Sequence, residues 1–287
     1  MRYLLLFIAW VVALGAMHFT YGLARLLDPV GLMAVFLPLM MCIVFHVRSE
    51  RVEWSALWLA LGVPLGLLAA VAGFIWLLGA EGLNGDYQNV YPTAGIMLTT
   101  VLYGGVASAI GYFKLLSAPL VTRGAVFTLK EAWFMAVLLL VLVYLMFQET
   151  LLFIWNFTAF SVVIACIISA IAINPQTKLS SAASAAIFAS LLLLVLGIIY
   201  FYFDDARAVE PIMLATVGLA YGLIAYMLLY FISLTREDDF INVSNANWHW
   251  LELCAFLIFM LYAPETIREI QQDSSHSAVD TQRVIEN

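Results

Sequence analysis

The sequence predicts an all-α, polytopic membrane helical bundle of about nine transmembrane helices, arranged as two four-helix repeats plus one extra helix. Three observations carry this prediction. The chain is 64% hydrophobic and 11% charged, with mean hydropathy +1.00, which lies outside the profile of a water-soluble domain. Nine apolar stretches are each long enough, at roughly 17 to 25 residues, to cross the hydrocarbon core. Residues 66–113 can also be laid over residues 184–231 at a constant offset of 118. Strands are excluded as spans, because the segments lack the alternating pattern of a barrel and backbone groups in lipid must bond within their own segment.

The predicted spans are 3–23, 30–47, 55–79, 92–116, 131–148, 151–173, 182–203, 211–234 and 248–264. The first follows a single basic residue, Arg2, and no small-residue cleavage site comes after it, so it reads as a span and not as a removed signal. Short basic loops close the second and third spans (Arg48, Arg51), the fourth and fifth (Lys114, Arg123, Lys130), the sixth and seventh (Lys178) and the eighth and ninth (Arg236). With Arg2 these are eight of the twelve basic residues, and Arg25, Arg207, Arg268 and Arg283 fall on the other side. That bias predicts a cytoplasmic N-terminus. An odd number of spans then carries the polar tail Glu265–Asn287 outside, where the loops hold Glu81, Asp86, Asp204, Asp205 and Glu210. Trp10, Trp54, Trp58, Trp133, Trp155, Trp248 and Trp250 lie mostly near span ends, as an aromatic belt requires.

Several function classes are excluded at this level. A net charge of −7 gives no nucleic-acid footprint. Cys42, Cys166 and Cys254 all fall within spans without a CxxC or Cys/His cluster, so no disulfide framework, metal site or cofactor is indicated. No HExxH, nucleophile elbow or paired membrane carboxylates mark an enzyme, and no catalytic residue is assigned.

The alignment at offset 118 matches Asp86 with Asp204, Tyr103-Gly104 with Tyr221-Gly222, Ala107 with Ala225, and Tyr112-Phe113 with Tyr230-Phe231. Upstream, Ala9-Trp10 corresponds to Ala132-Trp133 and Cys42 to Cys166. Either two apolar hairpins align by chance or the chain is a parallel duplication, since four helices per unit preserve membrane orientation. The duplication divides the chain into 1–120, 121–236, and 237–287 with the ninth helix and the polar tail.

Within span 92–116, Thr99 and Thr100 put two adjacent hydroxyls in mid-membrane. Such hydroxyls either bond back to their own helix or face protein or a water-filled path. Gly95, Gly104, Ser108 and Gly111, with Gly105 and Ala107, form a small-residue surface expected to pack against another helix.

At these residues the first unit resembles the membrane part of the MotA/TolQ/ExbB proton-channel family. GLARLLDPVGLMAV (22–35) resembles its outer turn and the start of its second helix, GLLAAVAGF (66–74) its third-helix glycine run, and LTTVLYG (98–104) its fourth-helix signature. The resemblance implies a homo-oligomeric helical bundle that surrounds a single-pass MotB/ExbD/TolR-type partner and conducts protons or sodium ions, with Thr100 as a pore threonine. The family's third-helix threonine is replaced by Ala70, Gly218 stands at the Thr100 position of the second unit, and only residues 46–54 occupy the place of the family's large cytoplasmic domain. A flagellar type of torque surface is therefore not expected.

The segment 241–264 resembles an ExbD/TolR-type helix, with Glu252 in its first turns, although the family's acidic position falls on Trp250. Glu252 is read either as the proton-loading group of a path shared with Thr100, or as an acidic residue favoured near a helix N-terminus capped by Asn245 or Asn247. His18, His46 and His249 are read as interfacial side chains. The expectation is thus a stator-like conducting subunit. The alternatives are a transporter built from parallel repeats, whose mark would be broken helices around a midplane site, for which Pro38, Pro64 and the Gly-rich fourth helix leave room, and a non-conducting membrane scaffold. A topology reporter fused after Asn287 is expected to be active only on the outer side, and cytoplasmic activity would overturn the predicted orientation.

Overall fold

The computed structural model describes residues 28–49, 54–78, 90–116, 128–148, 150, 154–174, 176–203, 209–235 and 249–261. These residues contain no strand and form eight helices: α1 (Pro29–Ser49), α2 (Trp54–Trp76), α3 (Val90–Leu116), α4 (Leu129–Phe147), α5 (Phe157–Ile173), α6 (Lys178–Phe203), α7 (Val209–Ser233) and α8 (His249–Leu261). Five of them, α2, α3, α4, α6 and α7, are long and apolar enough to cross a membrane. The predicted span 3–23 with Trp10 and His18, the loop residues Glu81, Asp86, Asp204 and Asp205, the proposed caps Asn245 and Asn247, and the polar tail lie outside the described residues.

Local chemistry explains where several helices begin. Asp28 accepts from the backbone N–H of Val30 at 3.1 Å and of Gly31 at 2.9 Å, and Pro29 follows at the first helical position, where its missing N–H costs nothing. Thr128 and Glu131 form a reciprocal capping box at α4. At α5 the Asn156 side chain accepts from Ala159 N–H at 2.9 Å, so the regular helix starts at 157 and not at 151 as the apolar run suggested. Apolarity alone cannot locate that boundary, because a cap is a property of one polar side chain.

Burial separates the centre of the bundle from its periphery. In α2 the membrane-length window is 83% buried, whereas in α4 it is 22% buried. Trp133, Phe134, Val137, Leu140, Val141 and Tyr144 of α4 are accordingly exposed, an apolar surface suited to lipid and not to water.

Two hairpins of small residues make the core. In α2–α3, Gly104 lies against the Gly62 carbonyl and the Gly66 backbone, and Gly111 against Ser55 and Leu59. In α6–α7, Gly222 lies against the Ala186 carbonyl and Ser190. Gly73 faces Met97 just as Gly197 faces Ala215. Phe36 meets Tyr103 with ring centroids 6.5 Å apart, and Phe160 meets Tyr221 at 5.8 Å. The two tyrosine hydroxyls also engage corresponding places, the N–H of Asp28 and the carbonyl of Ile154, both at a helix start.

These pairs correct the constant offset of 118. The second helices of the hairpins do correspond at that spacing (Tyr103 with Tyr221, Gly104 with Gly222), but Phe36 with Phe160, Gly66 with Ser190 and Gly73 with Gly197 are each 124 apart. The six-residue difference falls between Gly73 and Met97 in one hairpin and between Gly197 and Ala215 in the other. A connection tolerates a change of length, whereas a close-packed helix interface does not tolerate a slip of register.

Ser108 shows how the first hairpin accommodates a proline. Pro64 removes one N–H from the α2 ladder; one residue earlier, the Ser108 hydroxyl accepts from Val63 N–H at 3.0 Å and faces the carbonyls of Leu59 and Trp58 at 3.2 and 3.3 Å. A neighbouring helix thus satisfies the backbone where the ladder is weakened, and α2 continues unbroken. Helix α1 likewise continues through Pro38.

Of the predicted packing residues, Gly104, Ser108 and Gly111 lie in this interface, whereas a Cβ at Gly95 or Gly105 would meet nothing within 4 Å among the described residues. Gly95 differs from the other three: it lies on a face of α3 turned away from α2, a distinction that a list of small residues cannot make. Gly104→Ala would drive a methyl group into the Gly62 carbonyl and is expected to cost about 1–3 kcal/mol. Gly105→Ala should instead stabilise by up to about 1 kcal/mol through helix propensity. Thermal unfolding in detergent distinguishes the two, and equal effects would show that the α2–α3 contact is not tight.

Candidate functional site

Helix α8 turns one stripe inward. His249, Glu252, Leu253, Phe256, Phe259 and Met260 are buried, while Leu251, Cys254, Leu257, Ile258 and Leu261 are exposed. Spacings of three and four residues place the buried set on a single face. Its upper part is apolar, with Phe259 packed edge-on against Phe74 of α2 at a centroid distance of 5.4 Å. Its first turn is not: His249 and Glu252 occupy core positions at 1% and 0% exposure.

Glu252 is held from two sides. One carboxyl oxygen pairs with Nδ1 of His249 at 2.5 Å, one helical turn earlier, and the other with the Ser190 hydroxyl of α6. Across from them Tyr226 of α7 sets its ring edge-on to the imidazole at 4.1 Å, and Tyr230 stacks on Tyr226 at 6.0 Å. Three helices therefore enclose the carboxyl group, and α8 touches both hairpins.

The donor inventory of this cluster gives it chemical content. The Ser190 hydroxyl lies within bonding distance of two acceptors, Glu252 and its own-helix Ile187 carbonyl at 2.6 Å, but carries a single proton. When Glu252 is a carboxylate, Ser190 and the His249 N–H can both donate to it. When Glu252 is protonated, its O–H can donate to Ser190 Oγ while Ser190 donates to Ile187. The same side chains thus provide partners for the charged and the neutral carboxyl group, as a proton-loading site requires.

The sequence-predicted threonines sit elsewhere. The Thr99 hydroxyl donates to Gly95 of its own helix at 2.8 Å. Thr100 is directed to Met97 at 2.7 Å and to Gly66 of α2 at 3.4 Å, with its methyl group against Gly31. Both hydroxyls are engaged by backbone carbonyls, and no hydrogen bond joins Thr100 to Glu252 among the described residues. The physical cause is local: a hydroxyl three or four residues from a helical carbonyl finds an acceptor on its own helix.

His249 corrects its interfacial reading, being buried and bonded to Glu252. His46 is a described position in α1, and its side chain lies outside what is described. Ser190 and Tyr226 were not anticipated. Ser190 would have emerged from aligning the hairpins at 124, which places it opposite Gly66; Tyr226 carries no signal that separates it from other core tyrosines. Among the described residues no group of three or more His, Cys, Asp or Glu could hold a metal ion. Comparison of the chain with family models, with curated proteins and with solved structures gives no match.

Removing the Ser190 hydroxyl leaves a buried carboxyl oxygen without its donor, so Ser190→Ala is expected to cost about 1–3 kcal/mol. Thr99→Ala, which removes only a bond back to its own helix, should cost about 0.5 kcal/mol. Unfolding in detergent at neutral pH checks the ordering, and a harmless Ser190→Ala would show that the serine does not support Glu252.

Proposed function

We propose that this protein is a stator-like integral membrane subunit that conducts protons to energise a partner complex, with Glu252 as the proton-loading group. The observation that carries this reading is a carboxyl group of 0% exposure whose partners, Ser190 and His249, suit both of its protonation states. The site lies on α8, the helix that resembles an ExbD/TolR-type segment, and α8 packs against both hairpins. In a family where the acidic helix belongs to a separate partner, this chain would supply that helix itself, and a MotB/ExbD/TolR-type partner would then serve coupling and not ion loading.

The corresponding register of the two hairpins supports the reading of residues 1–120 and 121–236 as duplicated four-helix units, and a span at 3–23 would complete nine helices. The orientation proposed from the basic loops places the first turn of α8 toward the cytoplasmic side. The unbroken course of α1 through Pro38 and of α2 through Pro64 supports this reading over a repeat-built transporter. Thr100 is proposed to lock α2 to α3 at Gly66 and not to order water beside Glu252.

Proton flux into liposomes carrying the purified full chain, driven by a pH step and a potassium diffusion potential, tests the assignment. The parent is expected to conduct, Glu252→Gln to fall to the level of empty liposomes, and Thr100→Ala to retain most of the flux. No parental flux, with or without a candidate partner, or undiminished flux from Glu252→Gln would overturn it.

A further inference from the structure

We infer that His249 is a proton relay for Glu252, exchanging protons with a water molecule held at its Nε2. The inference rests on the proton-handling reading of the site and assigns the group through which Glu252 is loaded. His249 is 1% exposed, its Nδ1 faces Glu252, and its Nε2 is buried with no hydrogen-bond partner among the described residues. Burying a polar ring nitrogen without a partner is unfavourable, and small polar ligands, water above all, occupy such positions.

The groups around the ring determine what it can do there. On its own helix it faces Glu252; from α7 the edge of Tyr226 holds it, with Tyr230 stacked behind; from α6 Ser190 reaches Glu252 and not the imidazole. No positive side chain faces the imidazole among these groups, so Glu252 is the charged partner of an imidazolium. An imidazole can take a proton at Nε2 from water and release the Nδ1 proton to the carboxylate. That leaves neutral imidazole with the proton on Nε2 and a protonated Glu252; return of the Nε2 proton to water and reprotonation of Nδ1 from the carboxyl group complete the reverse transfer. His249 precedes Glu252 by one helical turn in α8 and packs on the last third of α7, so it lies between the carboxyl group and the end of the bundle where α7 finishes at Ser233. Tyr226 is a positioning residue, because its edge contact keeps Nδ1 aimed at Glu252.

His249→Asn keeps a side-chain amide able to bond Glu252 but cannot carry a proton through the ring. In the liposome assay its flux is expected to be about a hundredfold below that of the parent, with the protein folded and its detergent unfolding profile retained. Parental flux from His249→Asn, alongside a dead Glu252→Gln, would overturn the relay while leaving Glu252 as the loading group. A second measurement does not depend on conduction: 15N-histidine NMR of the full chain, with the His249 signals identified by their loss in His249→Asn. The relay requires Nε2 to exchange protons with water and the tautomer to change in Glu252→Gln. One fixed tautomer in both proteins, or an Nε2 closed to water exchange, would overturn it even if Glu252 proves essential; if the parent carries no flux, the conducting role falls and this measurement alone decides the exchange.

Discussion

Polar groups inside this bundle have to be satisfied by other parts of the protein, and most of the internal architecture follows from how that is done. Close approach of backbones at Gly62, Gly66 and Gly104 brings carbonyls and hydroxyls of adjacent helices within bonding distance. Ser108 uses that proximity to support α2 beside Pro64, and Thr100 uses it to reach Gly66. With larger residues at the glycines the helices would separate, and these hydroxyls would bond only to their own turns. Packing and hydrogen bonding are therefore a single constraint here, since the second is available only where the first removes side-chain bulk.

The same constraint has a different outcome in the second hairpin. Gly222 admits Ser190 to the α6–α7 contact at the place where the first hairpin has Gly66 against Gly104. Substituting a hydroxymethyl group for a hydrogen atom there adds a donor, and that donor points to Glu252. Gly218, opposite Leu193, correspondingly lacks the polar lock that Thr100 makes in the first hairpin. The two hairpins thus share a register and divide their chemistry: one is tied internally through backbone carbonyls, and the other offers its polar group to α8.

That division bears on the proposed conduction. A proton-loading group needs a rigid surrounding that nevertheless tolerates two charge states, and the hairpin interfaces supply the rigidity. The alternatives available to Ser190 supply the tolerance, because its one proton can serve Glu252 or Ile187. A carboxyl group held only by obligate donors would be trapped as an anion, and one surrounded only by apolar side chains would be trapped neutral.

The sequence by itself determined the class of the fold. Runs of apolar residues longer than the hydrocarbon thickness have no other stable arrangement in a chain with 11% charged residues, and α2, α3, α4, α6 and α7 lie close to where those runs fall. It also pointed to Glu252 as an unusual carboxylate and to Gly104 and Ser108 as contact residues, because charge and size are properties of single positions. Tertiary structure decided what those residues touch. A string of letters does not show that Gly95 and Gly104 face different ways, that Thr99 and Thr100 are engaged by carbonyls, or that the hairpins correspond at 124 in one helix and 118 in the other. Least legible was the cluster itself, since Ser190, Tyr226, His249 and Glu252 come from three helices. Their meeting depends on the depth and rotation at which α8 seats against α6 and α7, which is set by the packing of Phe256 and Phe259 against the core and not by the local sequence around any one of them.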